Sequence, residues 1–364
     1  MILHLLFDDK FSDYVISQFA AKEMQSDFVL VSHTRNLTHF HHADKVRVVN
    51  PYVESELEQL LADIKTYSSV VFHGLFYPWQ EWLLRRWPQH VKVAWVCWGG
   101  EIYGQPDILT SFLKPLSKWI YRQHVWKVGR KKELMFSKNL IQKVNYCLTN
   151  VVPEYEYVKN YLGTDIRHLS YNYYSIDETL GSLKDKHCTG CNIMVGNSAT
   201  IENNYVETLL QLKRVGIGER KIIVPLSYGE SWVRTMCVKI GSWLFGNRFE
   251  PLVNFMPREE YNTLMTNCAV MIQPHLREQA HGNIVTGLWL GMRVYLSEQG
   301  IDYKHFKCIG CKIYSVEKDL LRSNLNAFKP MSAEDMTYNR ECLLRIYGQE
   351  NVVKTIQKVV KELA

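Results

Sequence analysis

The feature that most limits what this chain can fold into is a recurrence of short, unbroken apolar runs separated by helix-length intervals. In the first half they fall at Ile2 to Phe7, Phe28 to Ser32, Val46 to Val49, Val70 to Phe72, Val91 to Trp98 and Val144 to Leu148. Continuous rather than alternating apolar character marks strands covered on both faces, the habit of parallel sheets with crossover helices. A polar stretch after residue 175, DETLGSLKDKHCTG, reads as a linker. The pattern then restarts at Ile193 to Val195, Lys221 to Val224, Val253 to Phe255, Val270 to Ile272, Arg293 to Leu296 and Lys312 to Val316. The expected fold is therefore α/β, with two Rossmann-like doubly wound domains facing a cleft. Their expected bounds are 1–175 and 188–330, with a C-terminal helix at 333–364 packing back across the domains.

At 364 residues the chain exceeds what one hydrophobic core usually supports, in agreement with two domains. The opening MILHLLFDDK has no basic n-region and no small-residue cleavage site, so it reads as a buried strand and not as a secretory signal. No apolar run approaches the roughly 18 residues of a spanning helix, and any membrane contact is expected to be peripheral. Nine cysteines without an export signal point to reduced thiols in the cytoplasm. The CxxC pairs Cys188/Cys191 and Cys308/Cys311 would suit zinc only if they met in space, and are expected to be thiols flanking strands. His39, His41 and His42 are expected in a solvated loop.

Three segments of the second half carry candidate donor chemistry. In IMVGNSAT a strand runs into Gly196, Asn197 and Ser198, a turn that can offer amides and small polar side chains to a phosphate or sugar. In IIVPLSYGES the strand ends at Pro225, leaving Ser227, Tyr228 and Gly229 at its tip; Tyr228 either stacks on a nucleobase or covers the sheet edge. The most informative is QPHLREQAHGNIVTGLWLGMRVYLS, a strand, a polar loop with Arg277, Gln279, His281, Gly282 and Asn283, and a helix with one apolar face. Free N–H groups and the positive end of a helix dipole suit a diphosphate, and the missing Cβ of Gly282 allows close approach. Such a site would stabilise a departing diphosphate without a metal ion. No Asp-x-Asp metal motif accompanies it, Asp8-Asp9 being the nearest, so no metal and no cofactor are expected.

In the first half, FHGLFYPW and WVCWGGEIYG are strand ends with polar groups. His73 is a candidate general base, because an ordinary pKa near 6.5 suits proton removal at neutral pH, and Glu101 competes with it. Between Lys114 and Lys143 the chain is strongly basic and interleaved with aromatics. Lys118, Trp119, Arg122, Trp126, Arg130, Lys131 and Lys132 there suit adsorption to anionic lipid, with nucleic acid as the rival partner and a solvated helix face as the plain alternative.

Taken in order, FHGLFYP, WGGEIY, VGNSAT, IVPLSY and the REQAHGN loop resemble the TDP-N-acetylfucosamine:lipid II N-acetylfucosaminyltransferase family of enterobacterial common antigen synthesis, over residues 70 to 300. The resemblance implies a GT-B fold and a dTDP-linked 4-acetamido-4,6-dideoxygalactose donor. It also implies an undecaprenyl-diphosphate-linked saccharide acceptor and peripheral attachment to the inner face of the bacterial inner membrane, with no nucleic acid as partner. It extends the candidates to Gly74, Pro78, Trp98, Gly99, Tyr103 and Thr149 on the acceptor side. Departures are Glu101, where the family pattern has an aspartate, and Asn283 after Gly282.

Overall fold

With one exception the apolar runs become strands where the sequence places them. The computed structural model describes residues 1–34, 36–129, 141–324 and 326–364. The first sheet contains β1 (Ile2–Leu6), β2 (Ser26–Val31), β3 (Arg47–Val49), β4 (Ser69–His73), β5 (Lys92–Val96), β6 (Tyr146–Leu148) and β7 (Arg167–Leu169). All pairings are parallel, in the order β3-β2-β1-β4-β5-β6-β7. The second contains β8 (Asn192–Val195), β9 (Ile222–Pro225), β10 (Phe249–Leu252), β11 (Cys268–Gln273), β12 (Arg293–Leu296) and β13 (Tyr314–Ser315), also parallel, in the order β10-β9-β8-β11-β12-β13.

The strands of the second sheet show why their sequences are apolar throughout. Ile193 and Val195, Ile222 and Val224, and Val270 and Ile272 point into one core with Tyr205, Leu209 and Phe245. The intervening Met194, Ile223 and Met271 point into another with Ile284, Leu288 and Phe306. A strand buried on both faces leaves no position for a polar residue.

Three expectations need correction. Val253 to Phe255 is not a strand: β10 ends at Leu252, and Phe255 is 87% exposed. Pro251 within β10 is tolerable because β10 is an edge strand, and its presence hid the strand. β7 escaped notice because Arg167-His168-Leu169 is short and polar. The polar stretch after residue 175 is ordered structure, since Ile176, Leu180 and Leu183 recur at helical spacing and are buried in the second core.

The chain divides into two compact units. Among the described residues the first holds 1–105, 141–175 and 349–364, and the second 106–129 and 176–348. Helix Pro115–Val128 therefore belongs to the second unit, although it precedes residue 175. It is tied there by Lys114 N–H to Asn204 Oδ1 at 2.7 Å and by Ser117 N–H to Glu207 Oε1 at 2.9 Å. The segment read as one C-terminal helix is two, Ala333–Tyr347 and Gln349–Leu363, separated at Gly348. The first buries Cys342, Leu343 and Tyr347 in the second unit; the last buries Val352, Ile356, Val359 and Leu363 in the first. Among the described residues no helix is long and apolar enough to cross a membrane.

Helix Ser231–Phe245 approaches β10 so closely that a Cβ at Gly241 would sit 2.2 Å from the ring of buried Phe249. Alanine's better helix propensity is worth about 1 kcal/mol, and overpacking a filled core costs about 1–3 kcal/mol. Gly241→Ala is therefore expected to lower the melting temperature, and a raised one in thermal unfolding would contradict this packing.

Candidate active site

In a doubly wound sheet, ligands bind beyond the carboxyl ends of the two strands between which the strand order reverses. In the second unit those strands are β8 and β11, followed by the GNSAT turn and the REQA loop; His281, Gly282 and Asn283, expected in that loop, already form the first turn of helix His281–Trp289. Gly196 begins the turn at φ +66°, a conformation that favours glycine, and a Cβ there would sit 2.5 Å from the Tyr205 hydroxyl. That hydroxyl donates to Ser198 O at 2.7 Å, and Asn203 Nδ2 donates to Ser198 O and Thr200 Oγ1, both at 3.0 Å. Gln279 reaches across from the other loop, its Nε2 donating to Asn197 Oδ1, with Ser198 Oγ and Thr200 Oγ1 each at 3.4 Å. Gln273 Nε2 donates to Gly196 O at 3.1 Å and closes the base of the arrangement.

The β9 loop is clamped to the same turn. Ala199 N–H donates to Tyr228 O at 2.8 Å and Glu230 N–H donates to Ala199 O at 2.7 Å. A Cβ at Gly229 would sit 2.6 Å from Ala199 O, so only glycine admits this approach. Tyr228 is 59% exposed, with Asn197 close enough to its hydroxyl to influence it. Arg277 pairs with Glu202 at 3.2 Å and donates from Nη1 to Glu278 O at 2.8 Å, which fixes its guanidinium beside the turn. The structure thus brings together Asn197, Ser198, Tyr228, Arg277 and Gln279. Asn203, just beyond the GNSAT turn, and Gly229, at the tip of β9, join them, as do Glu202 and Thr200, which the sequence did not single out.

Other candidates are placed differently. Pro225 pairs with Leu252 at the end of β9, and Ser227 O is taken by Arg234 Nη2 at 3.0 Å. Asn283 Nδ2 donates to Tyr261 at 3.1 Å. His281 packs on Phe306 with ring centroids 5.3 Å apart, and burial pushes its pKa down to about 3, leaving it neutral. The left-handed residue of the loop is Ala280, at φ +58°, immediately before helix His281–Trp289. Gln279 N–H also donates to Asp302 Oδ2 at 3.1 Å. Among the described residues, Glu278, His281 and Asp302 form a group with ligand atoms within 4.8 Å of one another that could hold a metal ion. No such group includes a cysteine of either CxxC pair. Gln273 Oε1, Gln279 Oε1 and Asn203 Oδ1 are buried acceptors with no donor among the described residues.

In the first unit the order reverses between β1 and β4. His73 ends β4 but is only 2% exposed. It is held by His4 Nδ1 at 3.1 Å and by the Tyr173 hydroxyl at 3.0 Å, which also accepts from Trp98 Nε1 at 2.6 Å. Burial holds its pKa well below 6.5, so His73 is an interior imidazole with both nitrogens engaged. Glu101 differs. Its Oε1 accepts from Trp95 Nε1 at 2.9 Å, Trp98 N–H at 3.2 Å and Leu75 N–H at 3.3 Å, and its Oε2 has no donor among the described residues. Burial raises its pKa to about 7, outweighing those hydrogen bonds. Gly74 and Gly99 take φ of +94° and +83° in the loops around it. Gln80 pins the first loop, accepting from Phe76 and Tyr77 N–H and donating to Gly74 O; Pro78 begins the helix that carries it. Tyr103 and Thr149 lie deeper, both donating to Glu154, at 3.1 and 2.8 Å, and so buttress the site from within. Asp8 is spent on the N–H groups of Thr38, His39 and Phe40.

A family model described as 4-alpha-L-fucosyltransferase, glycosyl transferase group 56, matches residues 5–320. The chain belongs to this glycosyltransferase family. No curated protein matches it. Among solved structures it is similar to a glycosyltransferase from Rickettsia africae ESF-5, with 11% identity, a TM-score of 0.64 and coverage of 100% of this chain and 98% of that one. A sucrose-phosphate synthase from Thermosynechococcus elongatus gives 11%, 0.60, 100% and 98%. An E. coli structure described as trehalose-6-phosphate bound with UDP-2-fluoro glucose gives 9%, 0.60, 100% and 99%. Identities this low speak for the fold, which is GT-B. As a group 56 family member the protein is a glycosyltransferase acting with a nucleotide sugar, and the strand-end loops of its two units are the places to seek donor and acceptor.

The raised pKa of Glu101 has a stability consequence. A buried acid favours its protonated form, so the stability it lends is complete below the ordinary value of 4.5 and is lost as pH rises through about 7. Glu101→Gln is uncharged throughout. Thermal melts should show it gaining on the parent protein by roughly 1–3 kcal/mol between pH 4.5 and 8. A difference that does not change with pH would show that Glu101 does not titrate in this range.

Proposed function

We propose that this glycosyltransferase moves a deoxy-acetamido sugar, 4-acetamido-4,6-dideoxygalactose, from dTDP to an undecaprenyl-diphosphate-linked saccharide. It would do so at the inner face of the bacterial inner membrane, in synthesis of enterobacterial common antigen or a related surface polysaccharide. The observation that carries the donor half is the meeting of the Gly196–Thr200 turn with Gln279 and Arg277 beyond β8 and β11. The sugar and the lipid-linked acceptor rest on the resemblance of the FHGLFYP, WGGEIY, VGNSAT and REQAHGN segments.

In this reading an acceptor hydroxyl attacks the anomeric carbon, the bond from that carbon to the diphosphate oxygen breaks, and the hydroxyl proton passes to a carboxylate. Glu101 is that base. Its Oε1 is fixed by three N–H donors, its Oε2 keeps acceptor capacity, and a pKa of about 7 balances availability against proton affinity near neutral pH. His73 serves as a positioning residue, holding Tyr173 and, through it, Trp98. On the departing diphosphate, negative charge is met by Arg277 and by the N-terminus of helix His281–Trp289. Because no Asp-x-Asp motif accompanies the donor loops, transfer is read as metal-independent. A capsule or O-antigen transferase, or a nucleotide-sugar epimerase of the same fold, is the alternative.

A transfer assay with a panel of nucleotide sugars and lipid-linked acceptors, read by mass spectrometry, tests this directly. The dTDP-linked sugar should be used best, and activity should survive EDTA. Glu101→Gln should lower kcat at least 100-fold while leaving dTDP affinity within about twofold. Gln279→Ala should weaken dTDP binding about tenfold in calorimetry, as expected for about 1.4 kcal/mol of lost hydrogen bonding. Turnover of the donor sugar without any acceptor would favour the epimerase, and unchanged dTDP affinity in Gln279→Ala would remove the donor site.

A further inference from the structure

We infer that one face of the second unit, formed jointly by helices Pro115–Val128 and Ser231–Phe245, docks on an anionic lipid surface. The inference rests on the reading of a lipid-linked acceptor for its purpose, but not for its evidence.

Helix Pro115–Val128 turns Ser117 and Tyr121 inward, and His124 stacks on Trp232 of the second helix with centroids 4.0 Å apart and an interplanar angle of 12°. At about 100° per residue, Trp119 and Trp126 then lie on the opposite side. They are 61% and 80% exposed, with Leu116 and Val128 also open to solvent. Helix Ser231–Phe245 buries Val233, Cys237, Gly241 and Leu244, which leaves Lys239 and, one turn on, Trp243 outward, the latter 81% exposed. Lys127 and Lys239 line the same groove between the helices, which places a cation from each helix side by side.

Charge singles out the same face. Neither helix contains an aspartate or glutamate, while together they carry Lys118, Arg122, Lys127, Arg234 and Lys239. Arg234 is spent on the carbonyls of Leu226 and Ser227, which leaves four cations for a partner. Tryptophan among lysine and arginine matches the boundary between headgroups and acyl chains, where the indole body is apolar and its surroundings polar. A nucleic acid would meet the cations, but offers nothing to Leu116 and Val128 and is usually held in a groove whose aromatics stack on bases. Here the tryptophans project from convex helix faces. The sequence pointed to the first helix alone. Arg130, Lys131 and Lys132, named with it, lie outside the described residues, and the contribution of Lys239 and Trp243 is visible only in the folded unit.

The test is co-sedimentation of the full chain with vesicles of phosphatidylcholine alone or mixed with phosphatidylglycerol, alongside calorimetry with dTDP. The parent protein should bind the anionic vesicles at least tenfold better than the neutral ones. The double variant Lys239→Glu with Trp243→Ser should lose at least tenfold of that binding, and Lys239→Gln, a mild surface neutralisation, should lose severalfold. Both variants should keep parental dTDP affinity, which separates failure of the docking surface from failure of the donor site. Equal binding to both vesicle types, full binding by the variants, or binding to an oligonucleotide with none to vesicles would each overturn the inference.

Discussion

The structure depends on one constraint, the reversal of strand order beside the first strand of each sheet. Parallel strands send their connections over one face or the other, and where the direction changes, two neighbouring strand ends diverge without a loop covering the gap. β8 and β11 diverge in this way, and so do β1 and β4. Because the sheets are buried on both faces, strand ends are the places where polar groups can gather. The second unit fills its gap with amides, hydroxyls and an arginine, and the first fills its own with aromatic rings, His73 and the carboxyl groups of Asp8, Asp9 and Glu101. A fold that must keep polar chemistry out of its strands thereby concentrates it where ligands arrive.

Burial then sorts the titratable groups within each site. His4, His73, His275 and His281 are all held neutral by desolvation, so none of these imidazoles supplies charge near pH 7. The same effect acts in the opposite sense on Glu101, raising an acid into the range where it can exchange protons. Coulombic partners are secondary in both cases. What distinguishes Glu101 from His73 is that the histidine's nitrogens are both taken by neighbours, whereas one oxygen of the glutamate is not. His73 and Glu101 compete on residue type alone, and the proposed assignment of the base to Glu101 rests on this difference in environment.

Much of this was legible in the sequence because it depends on local pattern. Unbroken apolar runs located nearly all the strands, and a glycine or a polar loop after a strand marked the turns that meet beyond β8 and β11. What was not legible depends on contacts distant in sequence. Gln279 meets Asn197 across 82 positions and Glu101 meets Leu75 across 26, and neither pairing leaves a local trace. The assignment of helix Pro115–Val128 to the second unit is set by Asn204 and Glu207, ninety positions on. Val253 to Phe255 misled because an exposed apolar loop and a buried strand share a composition, while β7 was missed because an edge strand can afford polar residues.

The central claim is that the diphosphate of the donor is held by the backbone and side chains beyond β8 and β11. Hydrogen–deuterium exchange of the full chain with and without dTDP tests it most directly. The account predicts slowed exchange in peptides covering residues 196–200 and 277–283, a smaller effect around Tyr228, and none in peptides covering residues 73–101. Protection confined to the first unit, or none at either loop of the second while dTDP is demonstrably bound, would contradict it.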